Sequence, residues 1–131
     1  LNTNRTFAPP FRVVVTITST TTSQVRFLSG EKFLAEFNQG STGKDLFLHQ
    51  VGGPRRVIQN QGLLKPGVAH EVEFFIERNS TKCTVDGELR GEVSEEPNAP
   101  DADLDRNVGI SPFRDNPVVV DKFEVLTLDA D

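Results

Sequence analysis

The sequence predicts an all-β domain, a two-sheet antiparallel β-sandwich. Three observations carry that reading. Apolar residues recur with a period of two along most of the 131-residue chain. Roughly ten short runs rich in Val, Thr and Phe alternate with turn signals such as Ser29-Gly30, Gln39-Gly40, Gly52-Gly53-Pro54, Pro66-Gly67, Asp86-Gly87 and Asn116-Pro117. No segment keeps a helical period over three turns.

The runs follow in order. FRVVVTIT (11–18) sets Phe11, Val13, Val15 and Ile17 on one face. SQVRFL (23–28) adds Val25 and Phe27, and KFLAEFN (32–38) adds Phe33, Ala35 and Phe37. KDLFLHQV (44–51) is apolar on both faces around Leu46, Phe47 and Leu48, and RRVIQN (55–60) is shorter. AHEVEFFIER (69–78) turns Val72, Phe74 and Ile76 inward and leaves Glu71, Glu73, Phe75 and Glu77 in the other row. TKCTVDG (81–87), ELRGEV (88–93), NVGIS (107–111) and VVVDKFEVLTL (118–128) complete the set. Residues 94–106, SEEPNAPDADLDR, form one long polar loop. Neither an internal repeat nor a linker divides the chain, so a single domain over residues 1–131 is expected. The chain contains no methionine, which predicts a fragment or processed part of a longer chain.

Composition narrows the function classes. Hydrophobic residues make up 36% and charged residues 25%, as in globular proteins. Net charge is −5, and the fourteen basic residues are scattered. Arg55-Arg56 is the nearest approach to a basic cluster and has no interleaved aromatics, so nucleic acid is set aside as a partner. No apolar run approaches the ~20 residues of a membrane span. The single cysteine, Cys83, has no intrachain partner; alternating with Thr81 and Val85, it is expected to point into the core and be inert. All ten aromatic residues are Phe, with no Trp or Tyr, so the aromatics offer packing and a π-face but no polar handle.

Two acidic patterns stand out. Glu71 and Glu73 alternate on one strand, about 6.6 Å apart along it at ~3.3 Å per residue. Retaining glycosidases need two carboxyls roughly 5–5.5 Å apart, so geometry permits this pair. The competing reading, which the sequence favours, is the solvent row of a half-buried strand. In DADLDRNVG (101–109), Asp101, Asp103, Asp105 and Asn107 repeat every second residue, like the first half of a calcium loop. Arg106 stands where the sharp turn needs Gly, and Pro112 where a bidentate Glu belongs. A loose calcium site on Asp101, Asp103, Asp105 and Asn107 competes with a solvated acidic loop, and the latter is the simpler account. Neither His49 nor His70 has metal-ligand spacing with the other or with Cys83.

The second half of the chain carries a resemblance. A Pro66-Gly67 turn leads into a strand opening His70-x-Val72, a hairpin leads to CTVDG (83–87), Gly109-Ile110 follows, and the chain closes on Val120-Asp121-Lys122-Phe123-Glu124-Val125. This order resembles the concanavalin A-like lectin/glucanase superfamily. It is also similar to 3-keto-disaccharide hydrolase-like and laminin-G-like domains, and LNTNRTFAPPFRVVVTIT resembles their early strands. The resemblance implies a jelly roll of two curved antiparallel sheets, in a superfamily whose members often bind glycans on the concave face, some hydrolysing them and some carrying calcium. Family 16 glycosidases in the superfamily carry Glu-x-Asp-x-(x)-Glu on one strand. Glu71 and Glu73 match the first spacing, but the middle residue is Glu rather than Asp, and Glu77 follows four residues later. The expected function is a non-catalytic, glycan-binding accessory module, extracellular or periplasmic. The alternatives are a glycoside-active enzyme using Glu71 and Glu73, and a structural protein-interaction domain without a small-molecule ligand.

Overall fold

The computed structural model describes residues 3, 6–7, 10–21, 23–29, 32–49, 55–77, 80–94, 108–112 and 117–127, with Lys32, Phe33 and Pro112 as backbone only. Ten strands are described: β1 (Phe11–Ser19), β2 (Val25–Ser29), β3 (Lys32–Gln39), β4 (Asp45–His49), β5 (Arg55–Ile58), β6 (Ala69–Ile76), β7 (Thr81–Val85), β8 (Glu88–Val93), β9 (Val108–Pro112) and β10 (Val118–Thr127). They form two five-stranded antiparallel sheets. One has the order β10-β1-β6-β7-β8 and the other β5-β4-β3-β2-β9. The fold is an all-β sandwich, as the period-two pattern predicts. Among the described residues there is no helix, hence none long and apolar enough to cross a membrane.

The inward rows follow from alternation. Phe11, Val13, Val15 and Ile17 of β1 are buried, as are Val72, Phe74 and Ile76 of β6 and Cys83 and Val85 of β7. The facing sheet supplies Val25, Phe27, Phe37, Leu46, Leu48, Val108 and Ile110. Phe27, Phe37 and Phe74 meet at the centre with ring centroids 5.0–6.5 Å apart, tilted or edge-on, the arrangement the aromatic quadrupole favours. Burial pushes the Cys83 thiol far above its usual range, with Arg90 pulling weakly the other way, so it is an inert core residue.

Strict alternation breaks at bulges. Phe27 pairs with Ala35 but Leu28 pairs with Phe33, so β3 carries Leu34 as an extra residue. Leu34 and Ala35 are both fully buried in consequence, where alternation alone turns Leu34 outward. Arg90 is the extra residue of β8 and Asp121 that of β10. Asn38, with φ of 57°, sits in a further bulge of β3 against β4. Asn38 is buried and bonded throughout: its Nδ2 donates to Ser23 O at 3.0 Å, its Oδ1 accepts from Leu64 N–H at 2.8 Å, and its own N–H donates to Gly62 O at 2.7 Å. This holds segment 61–64 so close to β4 that a Cβ on Gly62 would lie 2.0 Å from Asp45 O. Leu64, unassigned by periodicity, thereby joins the core.

Candidate functional site

Each sheet has an outer face, and the two can be compared position by position. On β10-β1-β6-β7-β8 the outward positions include Glu124, Arg12, Val14, Glu71, Glu73, Phe75, Lys82 and Glu92. Arg12 Nε donates to Glu73 Oε1 at 2.6 Å, and its guanidinium lies 5.3 Å from the Phe75 ring centroid. The hydrogen bond to Glu73 is the main reason the Arg12 guanidinium is held above its usual value. Desolvation opposes it, and the charges of Glu73, Glu71 and Glu124 add to it. Lys82 lies 3.4 Å from Glu92. Arg12 and Lys82 of this face are thus each matched by a nearby carboxylate.

Glu71 and Glu73 do share this outer face, as alternation predicts. Glu71 is exposed, whereas Glu73 is only half-buried and engaged by Arg12. A general acid needs apolar surroundings that keep its proton on, and a guanidinium neighbour is the opposite. Glu77 lies just past the strand and is exposed.

At one end of β6, His70 is buried and its Nδ1 lies 2.7 Å from Asp86 Oδ2. Its Nε2 accepts from Lys65 N–H at 3.1 Å, so both contacts are satisfied with the proton on Nδ1. Asp86 Oδ1 accepts from Glu71 N–H at 2.9 Å. Asp86 and Gly87 have φ of 53° and 82°, the paired positive values of a tight hairpin turn. Partial desolvation raises the Asp86 carboxyl, but the Glu71 amide, His70 and Arg90 outweigh it and leave it below the usual range. The Asp–His pair is a latch tying the β7–β8 turn to β6 and the 65–68 segment. Among the described residues, no hydroxyl or thiol nucleophile is bonded to His70.

On β5-β4-β3-β2-β9 the outward row across all five strands is Val57, Phe47, Glu36, Arg26 and Ser111. Arg55 and His49 stand beside it, paired with each other on β5 and β4. Glu36 Oε2 lies 2.9 Å from His49 Nε2, with the two side chains 13% and 17% exposed. Arg55 places its guanidinium 4.5 Å from the Phe47 ring centroid. Among the described residues no carboxylate pairs with Arg55. On the other side of β5, Arg56 donates to Glu92 O at 2.9 Å and closes the sandwich edge. The face therefore presents an apolar strip, a hydrogen-bonded acid–base pair and a flat guanidinium with unspent donors.

Sequence reasoning did not assemble this face. Its signals were present separately: an apolar residue on the wrong side of KDLFLHQV, His49 at the end of that run, and the Arg55-Arg56 pair. Asp101, Asp103, Asp105 and Asn107 lie outside the described residues. Among the described residues, no group of three or more His, Cys, Asp or Glu side chains is placed to hold a metal ion.

The architecture matches known structures. Sheep galectin-11 in complex with glycerol superimposes with a TM-score of 0.61 at 10% identity, over 96% of each chain. Carbohydrate-binding module CBM66 from Bacillus subtilis gives 0.59 at 10% identity, over 95% of this chain and 78% of that one. The endo-β-1,3-glucanase from Pyrococcus furiosus gives 0.58 at 18% identity, over 92% of this chain and 62% of that one. The fold is that of the concanavalin A-like lectins and glucanases. Within that fold, lectin-like and hydrolytic chains share one frame, so the frame alone does not separate binding from catalysis. No protein-family model matches the sequence, and no curated protein is similar to it in sequence.

Proposed function

We propose that the chain is a non-catalytic glycan-binding module and that it binds on the outer face of β5-β4-β3-β2-β9. The observation that carries this is the row Val57-Phe47-Glu36-Arg26-Ser111 with Arg55 and His49 beside it. A sugar offers a ring of hydroxyl donors and acceptors around apolar C–H patches. Its binding surface therefore needs fixed polar groups next to apolar area. Here the Glu36–His49 pair is fixed by mutual contact and the Arg55 fork by the Phe47 ring. A galectin and a carbohydrate-binding module among the proteins of the same fold support the glycan class. Under this reading calcium is no part of the binding face, the sheet's own side chains making every contact, and the setting is extracellular or periplasmic, where polysaccharides lie.

The test is an immobilised-glycan array probed with the wild type and with Glu36→Gln/His49→Ala, alongside a reducing-end assay on polysaccharides. Binding to a subset of glycans that the double variant loses, with no reducing ends released, is expected. Catalysis that falls about a hundredfold on Glu71→Gln or Glu73→Gln would instead make the chain a hydrolase, since that is the loss expected when a general acid or base is removed.

A further inference from the structure

Neutral sugars are held largely by stacking their apolar faces on aromatic rings, and this chain has neither Trp nor Tyr. Only Phe remains for that task. Among the described residues, two half-buried Phe side chains point outward from the sheets, Phe47 and Phe75. Each already has a guanidinium over its ring, Arg55 at 4.5 Å and Arg12 at 5.3 Å. The rings serve to hold arginines flat rather than to receive sugars. On the β1–β6 side that arginine is spent on Glu73 at 2.6 Å. On the β4–β5 side the nearest acid on the face, Glu36, is turned to His49 at 2.9 Å, and no carboxylate among the described residues meets Arg55. A flat, pre-oriented and unneutralised guanidinium matches a carboxylate or sulfate group in bidentate fashion.

We infer that the ligand is an anionic glycan, one bearing a uronate carboxylate or a sulfate ester, and that Arg55 on its Phe47 platform is the group that selects it. This rests on the binding face proposed above and names its ligand class. The Glu36–His49 pair lies within the same face and suits the neighbouring hydroxyls, since it offers acceptor and donor capacity beside the Arg55 fork. The chain as a whole is acidic, with a net charge of −5, so non-specific attraction of polyanions does not account for such binding.

The test is calorimetric or interferometric titration of the whole chain with polygalacturonate for the carboxylate source and dextran sulfate for the sulfate source. Dextran with a panel of other neutral polysaccharides forms the uncharged arm, and polyglutamate the acidic-peptide arm. Each is run with the wild type, Arg55→Gln, and Lys82→Gln, which removes one positive charge from the other sheet. At least one anionic glycan should bind, with an affinity that falls as salt rises from 0.1 M to 1 M, where the Debye length shrinks from about 10 Å to about 3 Å. Arg55→Gln should weaken it about tenfold or more, the size expected when a charged hydrogen-bonding pair is lost. Lys82→Gln should change it less than about twofold, and thermal melts should show all three proteins folded. Neutral glycans bound as tightly, with Arg55→Gln indifferent, would overturn the anion inference and leave the glycan-binding reading standing. No glycan of any kind bound would overturn both. Polyglutamate bound as tightly as polygalacturonate, or Lys82→Gln costing as much as Arg55→Gln, would also overturn the inference, because the attraction would then be peptide-directed or diffuse.

Discussion

Among the described residues, two phenylalanines point outward from this sandwich with an arginine laid over each, one pair on each sheet, and the pairs differ in the acid beside the arginine. Arg12 on Phe75 has Glu73 at 2.6 Å, whereas Arg55 on Phe47 has no carboxylate partner among the described residues. The difference comes from cross-strand register. In β1 and β6, Arg12 faces Phe75 directly and Glu73 is the diagonal neighbour, so ring and acid both reach it. In β4 and β5, Arg55 faces His49, and Phe47 is the diagonal neighbour. The acid on the adjacent strand, Glu36, has been taken by that same His49. One motif, a Phe platform under an Arg, thus becomes a closed structural pair on one sheet and an open donor group on the other.

The largest effect should come from removing what both faces stand on. Phe74 is fully buried between the sheets against Phe27 and Phe37. Phe74→Ala should cost about 3–5 kcal/mol in chemical denaturation and abolish the comparison by destabilising both faces together. Gly62→Ala should act on one side only. The added Cβ meets the Asp45 carbonyl at 2.0 Å, which is backbone and cannot rotate away. About 1–3 kcal/mol is the usual cost of such overpacking, and glycan affinity should fall with it because β4 carries Phe47 and His49. An equal stability loss with unchanged affinity would detach β4 from binding.

The paired arginine variants sharpen the contrast. Arg12→Gln leaves Glu73 half-buried without its partner and should lower the melting temperature while leaving glycan affinity unchanged. Arg55→Gln should do the reverse, weakening binding with little change in melting temperature. The smallest effect concerns acid. Asp86 is held below the usual carboxylate range in the folded chain, so its contribution is present above the unfolded value near 3.9 and is lost as pH falls through the folded one. Because Asp86 is half-exposed, the loss should stay below about 1 kcal/mol. It should show as a flatter stability–pH curve in Asp86→Asn below about pH 4.

The sandwich was readable because alternation is a backbone rule: Val72, Phe74, Ile76, Cys83 and Val85 point inward as their spacing requires. Leu34 and Asp121 were not readable, since a bulge inserts a residue without a signature of its own. The candidate face was less readable still. Glu36, Phe47, His49 and Arg55 come from three strands, and nothing in a linear pattern says that Glu36 will meet His49 or that Arg55 will lie over Phe47. Glu71 and Glu73 drew the eye because they are adjacent in one run, yet their register hands Glu73 to Arg12.

The claim that the open stack is the binding surface is tested most directly by amide chemical-shift mapping during titration with an anionic glycan. The amides of Arg55, Val57, Phe47, His49 and Glu36 should move with a common dissociation constant while those of Arg12, Glu71, Glu73 and Phe75 stay still. Shifts concentrated on Glu71, Glu73 and Phe75, with β4 and β5 silent, would contradict it.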